Sequence, residues 1–287
     1  MFALIGLILV AASVVGGYMV TGGHLDVLWQ PGEFVIIGGA AFGAFLASNS
    51  KGTIIGVTKS FPLVFRGPRY HEKHYLELLC LLFTFFKIAK MKGDMALEPH
   101  VEKPEESSVF KNYPTITKNH EAMDFLCGYM RLLTLGSKNA NEIETVMDSE
   151  IEGLEHELNT VSSSVQNMAD GMPALGIVAA VLGVIHTMGA ISEPPEILGH
   201  LIGAALVGTF FGILCCYGFV GPIASAIAAA TRPDVEYMRV IKAALIGHMQ
   251  GYAPQISVEF ARKSIAPEDR PSFTKVDVAC NNVSVPQ

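Results

Sequence analysis

Two long stretches of the sequence contain no basic residue. Of the 20 Lys and Arg, 13 lie in residues 51–138 and 7 in residues 232–275, which leaves none in 1–50 or 139–231. Because basic residues are retained on the cytoplasmic side of a membrane, both basic blocks are expected to be cytoplasmic. The segments between them should therefore cross the membrane in pairs. This predicts a multi-pass membrane protein with both termini in the cytoplasm.

The signatures of an enzyme are also missing. The sequence has no nucleophile–base pair, phosphate loop or dinucleotide fingerprint, so no catalytic residue and no cofactor is expected. Its net charge of -7 provides no general positive field for binding nucleic acid. The five cysteines have no paired spacing that suggests disulfides or a metal site. HEKH at residues 71–74 lacks the HExxH spacing and a third ligand, so a helix start is favoured over a zinc site.

Apolar residues dominate what is present. Half of the 287 residues are hydrophobic and only 16% are charged. Four segments are apolar enough for membrane helices: residues 2–20, 34–50, 172–191 and 201–230. No basic residue precedes the first segment, so we expect a membrane helix there rather than a signal peptide. The sequence predicts an all-α integral membrane protein with four transmembrane helices and a helical cytoplasmic domain between the second and third.

We expect four regions along the chain. Residues 1–50 would contain the first two transmembrane helices and a short outer loop, and residues 51–170 the cytoplasmic helical domain. Residues 171–231 would form the third and fourth transmembrane helices, and residues 232–287 the cytoplasmic C-terminal helices and tail. The tail from Lys275 shows no hydrophobic period and is expected to be disordered.

Three helices are predicted within the cytoplasmic domain. Apolar residues repeat every three to four positions from Tyr70 onward, which indicates an amphipathic helix whose apolar run, residues 78–86, is too short to span a membrane. Further helices are expected at residues 122–135 and 141–165. The last has an acidic face, interpreted as solvated or alternatively as a partner-docking surface. Its members are Glu142, Glu144, Glu150, Glu152, Glu155 and Glu157.

The third and fourth apolar segments form a predicted helical hairpin with small residues at helical spacing. These are Gly176, Ala180, Gly183 and Thr187 on the first helix, and Ala204, Gly208, Gly212 and Cys216 on the second. Small residues allow helices to approach closely in lipid, either within the hairpin or between hairpins of an assembly. Pro173 at the start of one helix and Pro222 late in the other are expected toward the same membrane face, where each can hinge its helix.

No carboxylate is expected at membrane depth. The nearest acids are assigned by the sequence to the outer loops or their edges: Asp26, Glu33, Glu193 and Glu196. Ion transport requires a titratable group within the membrane, so a second polypeptide should supply it. His186, Thr209 and Tyr217 are the polar groups of interest inside the hairpin, and each is either functional or simply hydrogen-bonded.

Several long stretches match a known pattern. They run from GGYMVTGGHLDVLWQPGEFVII through MPALGIVAAVLGVIHTMGA and LVGTFFGILCCYGFVGP to GYAPQISVEFARKS and RPSF. With these stretches the chain resembles the MotA family of flagellar motor stator subunits, within the MotA/TolQ/ExbB proton channel family. The resemblance implies a channel that couples ion flow to torque, built as a pentamer of this chain around a MotB dimer in membrane lipid. The transmembrane aspartate of MotB would then supply the missing carboxylate.

The resemblance also implies residues of an ion pathway. Pro173 and Pro222 correspond to two functional prolines of the family, and Thr209 and Tyr217 to polar residues that face the ion-carrying aspartate. Ala180 stands where sodium-driven relatives have a Thr. Since sodium needs several oxygen ligands in place of water, the transported ion is expected to be a proton.

A second set of residues is implied for contact with the rotor protein FliG. Lys90, Glu98 and Glu150 correspond to charges of the family that engage the rotor. Lys90 stands where Arg is usual, and it keeps the charge without the planar guanidinium. Lys87 and Lys92 are alternatives for the same role.

Two other interpretations remain. Proteins of the related ExbB/TolQ type, which energise outer-membrane processes by the same kind of ion-coupled ring, resemble this chain around the last two spans but generally have three spans. A self-sufficient ion channel or a membrane enzyme is disfavoured, because the sequence offers neither a buried carboxylate nor a catalytic set.

Overall fold

The computed structural model describes residues 2–137 and 139–282, and this part of the chain is helical without any strand. The all-α prediction is therefore confirmed. In chain order the helices are α1 (Phe2–Val20), α2 (Leu25–Leu28), α3 (Pro31–Ser48), α4 (Lys51–Arg66), α5 (Glu72–Lys92), α6 (Glu98–Glu102), α7 (Pro114–Thr117), α8 (His120–Thr134), α9 (Ala140–Gly189), α10 (Pro195–Leu214), α11 (Gly221–Met249), α12 (Pro254–Ser264) and α13 (Phe273–Asn281). A π-helical segment, Cys215–Val220, joins α10 to α11.

The chain divides into two compact units. Residues 1–67 and 156–231 form the first, and residues 68–155 and 232–287 form the second. Two helices, α9 and α11, contribute residues to both.

Four helical segments are long and apolar enough to cross a membrane, as the sequence predicts. They are Ala3–Val20, Leu25–Ser48, a part of α9, and a part of the continuous stretch Pro195–Met249. Their 18-residue windows have mean hydropathies of 2.3, 1.4, 1.9 and 2.0. At most 22% of each window is buried within the chain. Such exposure is tolerated in lipid, because the side chains are apolar and the backbone hydrogen bonds of a helix are internal.

The second membrane helix begins earlier than the sequence pattern indicates. Helix α3 starts at Pro31 and includes Glu33 in its first turn, whereas the apolar run begins at residue 34. Pro is favoured at the first helical position, because its missing N–H has no partner there, and an acid in the first turn complements the helix dipole. The helix therefore takes in a carboxylate that the sequence assigns to the loop edge.

Helix α9 is continuous for 50 residues and passes through Pro173. The expectation that a helix ends near residue 165 and another starts at Pro173 is therefore wrong. A proline inside a helix removes a single backbone hydrogen bond and clashes locally. In the first unit that cost is offset by the buried residues around it, Ala169 and Met172, which pack in the same apolar cluster as Ile37 and Cys216.

In the second unit, helix α5 is central rather than amphipathic. Every residue from Leu78 to Phe86 is buried, so the helix is apolar on all sides there instead of on one. The other elements of the unit surround it, including α7, α12 and α13. Its start is the HEKH stretch: the backbone N–H of His71 donates to Nδ1 of His74 at 3.0 Å, which confirms a helix start at this motif.

The C-terminal region is more ordered than expected. Ser272 caps helix α13, its hydroxyl accepting from the N–H of Lys275 at 3.3 Å, so the expectation of disorder from Lys275 is wrong as far as residue 282. Residues 283–287 lie outside the described part. Buried Arg262 of helix α12 holds the preceding link: it donates twice to Glu259 at 2.7 Å and once to the Pro271 carbonyl at 3.1 Å.

The acidic face of α9 is partly neutralised within the second unit. Lys242 of α11 lies 2.7 Å from Asp148 and 3.4 Å from Glu144, and Arg239 lies 2.5 Å from Glu155. The face is therefore neither wholly solvated nor wholly free for a partner. Glu142 and Glu152 remain exposed.

Candidate functional site

The site lies in the hairpin of the first unit, where α9 and α10 are in backbone contact. A methyl carbon placed on Gly176 would lie 2.8 Å from the Gly208 carbonyl oxygen and 3.3 Å from the Cα of Thr209. One placed on Gly212 would lie 2.6 Å from the Met172 carbonyl oxygen. Real side chains cannot occupy such positions, so glycine is required at this crossing. Of the predicted small residues, Gly176, Gly208 and Gly212 thus serve packing within the hairpin.

The residues Ala180 and Thr209, predicted to share the ion pathway, are brought into one layer. Gly208, the residue before Thr209, faces the Cβ of Ala179 and the backbone N of Ala180, which would lie 3.0 and 3.3 Å from a methyl carbon placed on Gly208. Among the described residues the Thr209 hydroxyl has no hydrogen-bond partner, whereas that of Thr187 bonds back to the Gly183 carbonyl at 2.8 Å. Thr209 therefore keeps a donor and an acceptor available to another molecule.

A carboxylate of this chain also reaches the layer, which the sequence does not predict. Oxygen Oε2 of Glu33 would lie 2.7 Å from a methyl carbon on Gly208, and this oxygen is buried without a hydrogen-bond partner among the described residues. The expectation that no carboxylate lies within a membrane span is therefore wrong, because Glu33 belongs to a candidate span and its oxygen reaches the hairpin. The sequence does contain a signal: Glu33 precedes Ile37, Ala41 and Phe45 at four-residue spacing, and these three form the buried face of α3.

Pro173 lies one turn away from the Gly176 contact, on the cytoplasmic side of the predicted topology. Its neighbour Met172 contacts Gly212, so Pro173 is nearly level with the end of α10. Because Pro173 has no N–H, the carbonyl of Ala169 lacks its usual donor four residues on. The helix is thus least constrained where it enters the glycine crossing.

Pro222 follows the π-helical segment and is not level with Pro173. Gly221 lies beside Gln166, whose side-chain atoms would be 3.8 Å from a methyl carbon there, and Gln166 is seven residues before Pro173. Seven residues of helix correspond to about 10 Å. The prolines therefore mark two levels of the hairpin, both on the same side of the Thr209 layer.

The π-helical segment holds Tyr217, and its geometry follows from the proline. The N–H of Gly221 donates to the Cys216 carbonyl, five residues back, so the helix is wider just before the Pro222 ring, which would clash with a carbonyl four residues earlier. Tyr217 is 74% exposed and eight residues beyond Thr209. The structure does not bring Tyr217 into the Thr209 layer.

An apolar cavity adjoins Pro222. It has a volume of about 200 Å³ and is lined by Ala3, Gly6, Leu7, Val10, Gly218, Pro222 and Ile223. The cavity leaves space beside the proline into which the helix can move without displacing polar groups.

The rotor-contact candidates all lie in the second unit and differ in their availability. Lys90 in the last turn of α5 and Glu98 at the start of α6 are exposed and have no ion-pair partner among the described residues. Glu98 also lines a surface groove of about 540 Å³ with His100, Glu102, Lys103 and Glu106. Glu150 instead accepts a hydrogen bond from the Tyr129 hydroxyl at 2.6 Å. Lys90 and Glu98 are thus the freer pair of charges.

Comparison with known proteins gives consistent matches along the chain. A family described as Motility protein A N-terminal matches residues 4–93, and one described as the MotA/TolQ/ExbB proton channel family matches residues 118–239. Motility protein A of Salmonella typhimurium is 42% identical over 277 residues, covering 96% of this chain and 94% of that protein.

Two solved structures have the same fold. The C. jejuni MotAB structure matches with a TM-score of 0.77 at 22% identity, covering 94% of this chain and 98% of that chain. The flagellar MotAB stator complex from Bacillus subtilis matches with a TM-score of 0.68 at 22% identity, covering 89% and 92%.

Four membrane-spanning helical segments, a glycine-packed hairpin and the match over residues 118–239 define the class: a multi-pass membrane protein of the MotA/TolQ/ExbB proton channel family. The description of that family names a proton channel. Identity over nearly the full length is more specific, and on it the chain belongs to the motility protein A family.

Proposed function

We propose that this chain is the membrane subunit of a flagellar motor stator, and that with a MotB partner it forms an inner-membrane channel whose proton flow drives rotation. Membership of the motility protein A family carries the proposal. The free hydroxyl of Thr209 in a close-packed layer provides a place for an external titratable group. The assembly is a pentamer of this chain around a MotB dimer, embedded in lipid.

The ion pathway uses the partner's aspartate against the Thr209 and Ala180 layer. A carboxylate can only accept hydrogen bonds, whereas the neutral acid also donates one, so protonation changes how the group sits against Thr209. Ala180 contributes no side-chain oxygen, which disfavours sodium. The helices are expected to rearrange at Pro173 and Pro222, since each lacks a backbone hydrogen bond. Tyr217 is exposed on the segment between the Thr209 layer and Pro222.

The second unit engages the rotor protein FliG through exposed charge. Lys90 and Glu98 present opposite signs and have no internal partner among the described residues. Exposed charges contribute more to association rate and specificity than to affinity, which suits a contact that must form and break repeatedly. Glu150 contributes less, because Tyr129 already occupies one of its oxygens.

The decisive experiment is reconstitution of the chain with its partner in liposomes. Proton flux driven by an imposed pH gradient should require both polypeptides, and it should be unchanged when external sodium is replaced by potassium. Flux from this chain alone would favour a self-sufficient channel. A strict sodium requirement would overturn the proton assignment while leaving the stator assignment intact.

Topology is tested by labelling single cysteines in intact cells. A membrane-impermeant reagent should reach His24→Cys, whereas Lys90→Cys and Lys263→Cys, both at exposed positions, should react only after permeabilisation. Labelling of Lys90→Cys from outside would contradict cytoplasmic placement of the second unit and of the termini.

A further inference from the structure

Oε2 of Glu33 is the one buried carboxylate oxygen without a hydrogen-bond partner among the described residues, and it lies at the hairpin layer that forms the proposed pathway. We propose that Glu33 is a second proton-carrying group, contributed by this chain, that receives the proton from the outer side and passes it to the partner's aspartate. This inference rests on the proposed function and adds a residue to it.

The position of Glu33 is well inside the hairpin. The layer of Ala180 and Gly208 is nine residues from the end of α9 at Gly189, about 14 Å along the helix axis. The face that carries Glu33 is tightly packed: Ile37 is 0% exposed and Ala41 3%. Gly208 is needed to make room, because a side chain there would occupy the place of the carboxylate oxygen.

No cation compensates this carboxylate. Residues 1–50 and 139–231, which supply every element around it, contain no Lys or Arg. An ionised carboxylate buried without a counter-ion or hydrogen bond is costly, whereas the neutral acid is much less so. Glu33 is otherwise half-buried, which leaves an approach for water to its other oxygen. Such a group favours its protonated form, and it gives the proton up to an acceptor whose own ionised form is at least as costly in the same surroundings.

Other titratable groups on the elements packed against Glu33 do not pair with it. Within the first unit these are His24 and Asp26 before α3, His156, Glu157, Asp170 and His186 on α9, and Glu196 and His200 on α10. No hydrogen bond or ion pair joins any of them to the buried oxygen of Glu33 among the described residues. The proton on Glu33 is therefore shared with no group of its own chain.

The transfer conserves protons and charge. A hydronium ion on the outer side gives its proton to the Glu33 carboxylate, an O–H bond forms, and water leaves. That O–H bond then breaks as the aspartate carboxylate of the partner accepts the proton, which returns Glu33 to its ionised form. Nothing is oxidised or reduced, and Thr209, adjacent to Gly208, can donate to whichever acid is ionised.

The test uses the complete complex in liposomes and three variants. Glu33→Gln keeps the shape and removes the proton-carrying group, whereas Glu33→Asp keeps the acid on a shorter side chain. Glu196→Gln is the matched control, since Glu196 is also an acid in the first turn of a hairpin-side helix but is exposed. Proton flux is measured against external pH, together with co-purification of the partner.

We expect Glu33→Gln to co-purify normally and to lose at least about tenfold in proton flux at every external pH, as for removal of a proton-transfer group. Glu33→Asp should retain flux with a shifted dependence on external pH, and Glu196→Gln should match the wild type. A flux from Glu33→Gln close to that of the wild type would overturn the inference.

Loss of assembly is also decisive. If Glu33→Gln fails to co-purify with the partner, the proton flux of Glu33→Asp becomes the test. An unshifted dependence of that flux on external pH would then overturn the inference. Failure of both variants to assemble would assign Glu33 a structural role instead. Absence of flux from the wild-type complex would refute the proposed function itself, which is a different result from an active wild type with an active Glu33→Gln variant.

Discussion

The backbone N–H of Gly221 bonds to the carbonyl of Cys216, one residue further back than in an α-helix, immediately before Pro222. π-Helical turns are rare and occur frequently at functional sites. The segment therefore marks the junction of α10 and α11 as a candidate for a functional role.

Replacing Pro222 by Ala tests that role. An alanine restores the missing N–H and allows the π-helical turn to return to α-helical geometry, so the helix should gain stability, by up to about 3 kcal/mol if the site behaves like a helix interior. We expect normal assembly with the partner, a raised thermal midpoint and a large loss of torque. Pro62→Ala, which changes an exposed proline inside α4, is the control and should rotate normally. Full torque in Pro222→Ala would remove the proline from the mechanism.

The glycine crossing makes a second prediction. Gly212→Ala would place a methyl carbon 2.6 Å from the Met172 carbonyl, so the helices must separate, and we expect a loss of about 1–3 kcal/mol in stability. Gly171→Ala is the control, because nothing lies within 4 Å of its added carbon. Thermal unfolding in detergent should distinguish them: a lower midpoint for Gly212→Ala and an equal or higher one for Gly171→Ala. Equal midpoints for both would show that the crossing is loose.

Charge reversal tests the rotor contact. Lys90→Glu and Glu98→Lys should each reduce motility in soft agar while leaving partner binding intact, because both side chains are exposed without internal ion pairs among the described residues. Reversing the opposing charge on the rotor protein should restore motility to each variant, since the contact is electrostatic. Lys263→Glu, an exposed reversal on α12, should swim normally. Normal swimming by both test variants would make these charges part of an ordinary solvated surface.

The Glu259–Arg262 pair gives a pH-dependent prediction. Hydrogen bonds from Arg262 hold the pKa of the Glu259 carboxyl below its ordinary value, against a smaller opposing effect of burial. A depressed carboxyl pKa stabilises the fold above the ordinary pKa, and this contribution is lost as pH falls through the depressed value. Glu259→Gln should therefore unfold more easily than the wild type by about 1–3 kcal/mol at neutral pH, where it leaves Arg262 without its charged acceptor.

The difference between wild type and Glu259→Gln should begin to narrow below about pH 4.5, where the unfolded carboxyl takes up a proton while the native one is still ionised, and it should close as pH falls through the lowered native pKa. Thermal midpoints measured from about pH 7 down to about pH 3.5 provide the check, because this range spans the ordinary pKa of a glutamate. Glu268→Gln, an exposed acid in the following link, should track the wild type throughout. A difference that persists undiminished at the lowest pH would show that packing, rather than charge, is responsible.

The amino-acid pattern is sufficient for the spans and for the hairpin packing. Long uncharged segments fold as helices in a membrane because no other structure satisfies the backbone there, and glycines at helical spacing allow close approach in any packing. The start of helix α5 after His71 is equally local and equally predictable. These properties depend on a residue and its near neighbours along the chain.

The incorrect expectations share a different cause. The sequence assigns Glu33 to a loop edge because it follows Pro31 and Gly32, which are typical of turns, whereas the position of its carboxylate depends on Gly208, far along the chain, which leaves space for it. Helix α13 has no clear hydrophobic period in the sequence. Its stability depends instead on packing against α5 and on the Arg262 contacts in the link that precedes it. Helix α5 has an amphipathic pattern only in part, and the helices that cover its second face are distant in sequence.

The glycine crossing has a mechanical consequence. Helices usually lock together because side-chain ridges of one fit into grooves of the other, so axial movement requires many side chains to repack. At Gly176, Gly208 and Gly212 the backbones of α9 and α10 are in contact, so few side chains interlock there. An axial shift of α9 against α10 would therefore require fewer side chains to repack at the glycine crossing than elsewhere along the hairpin.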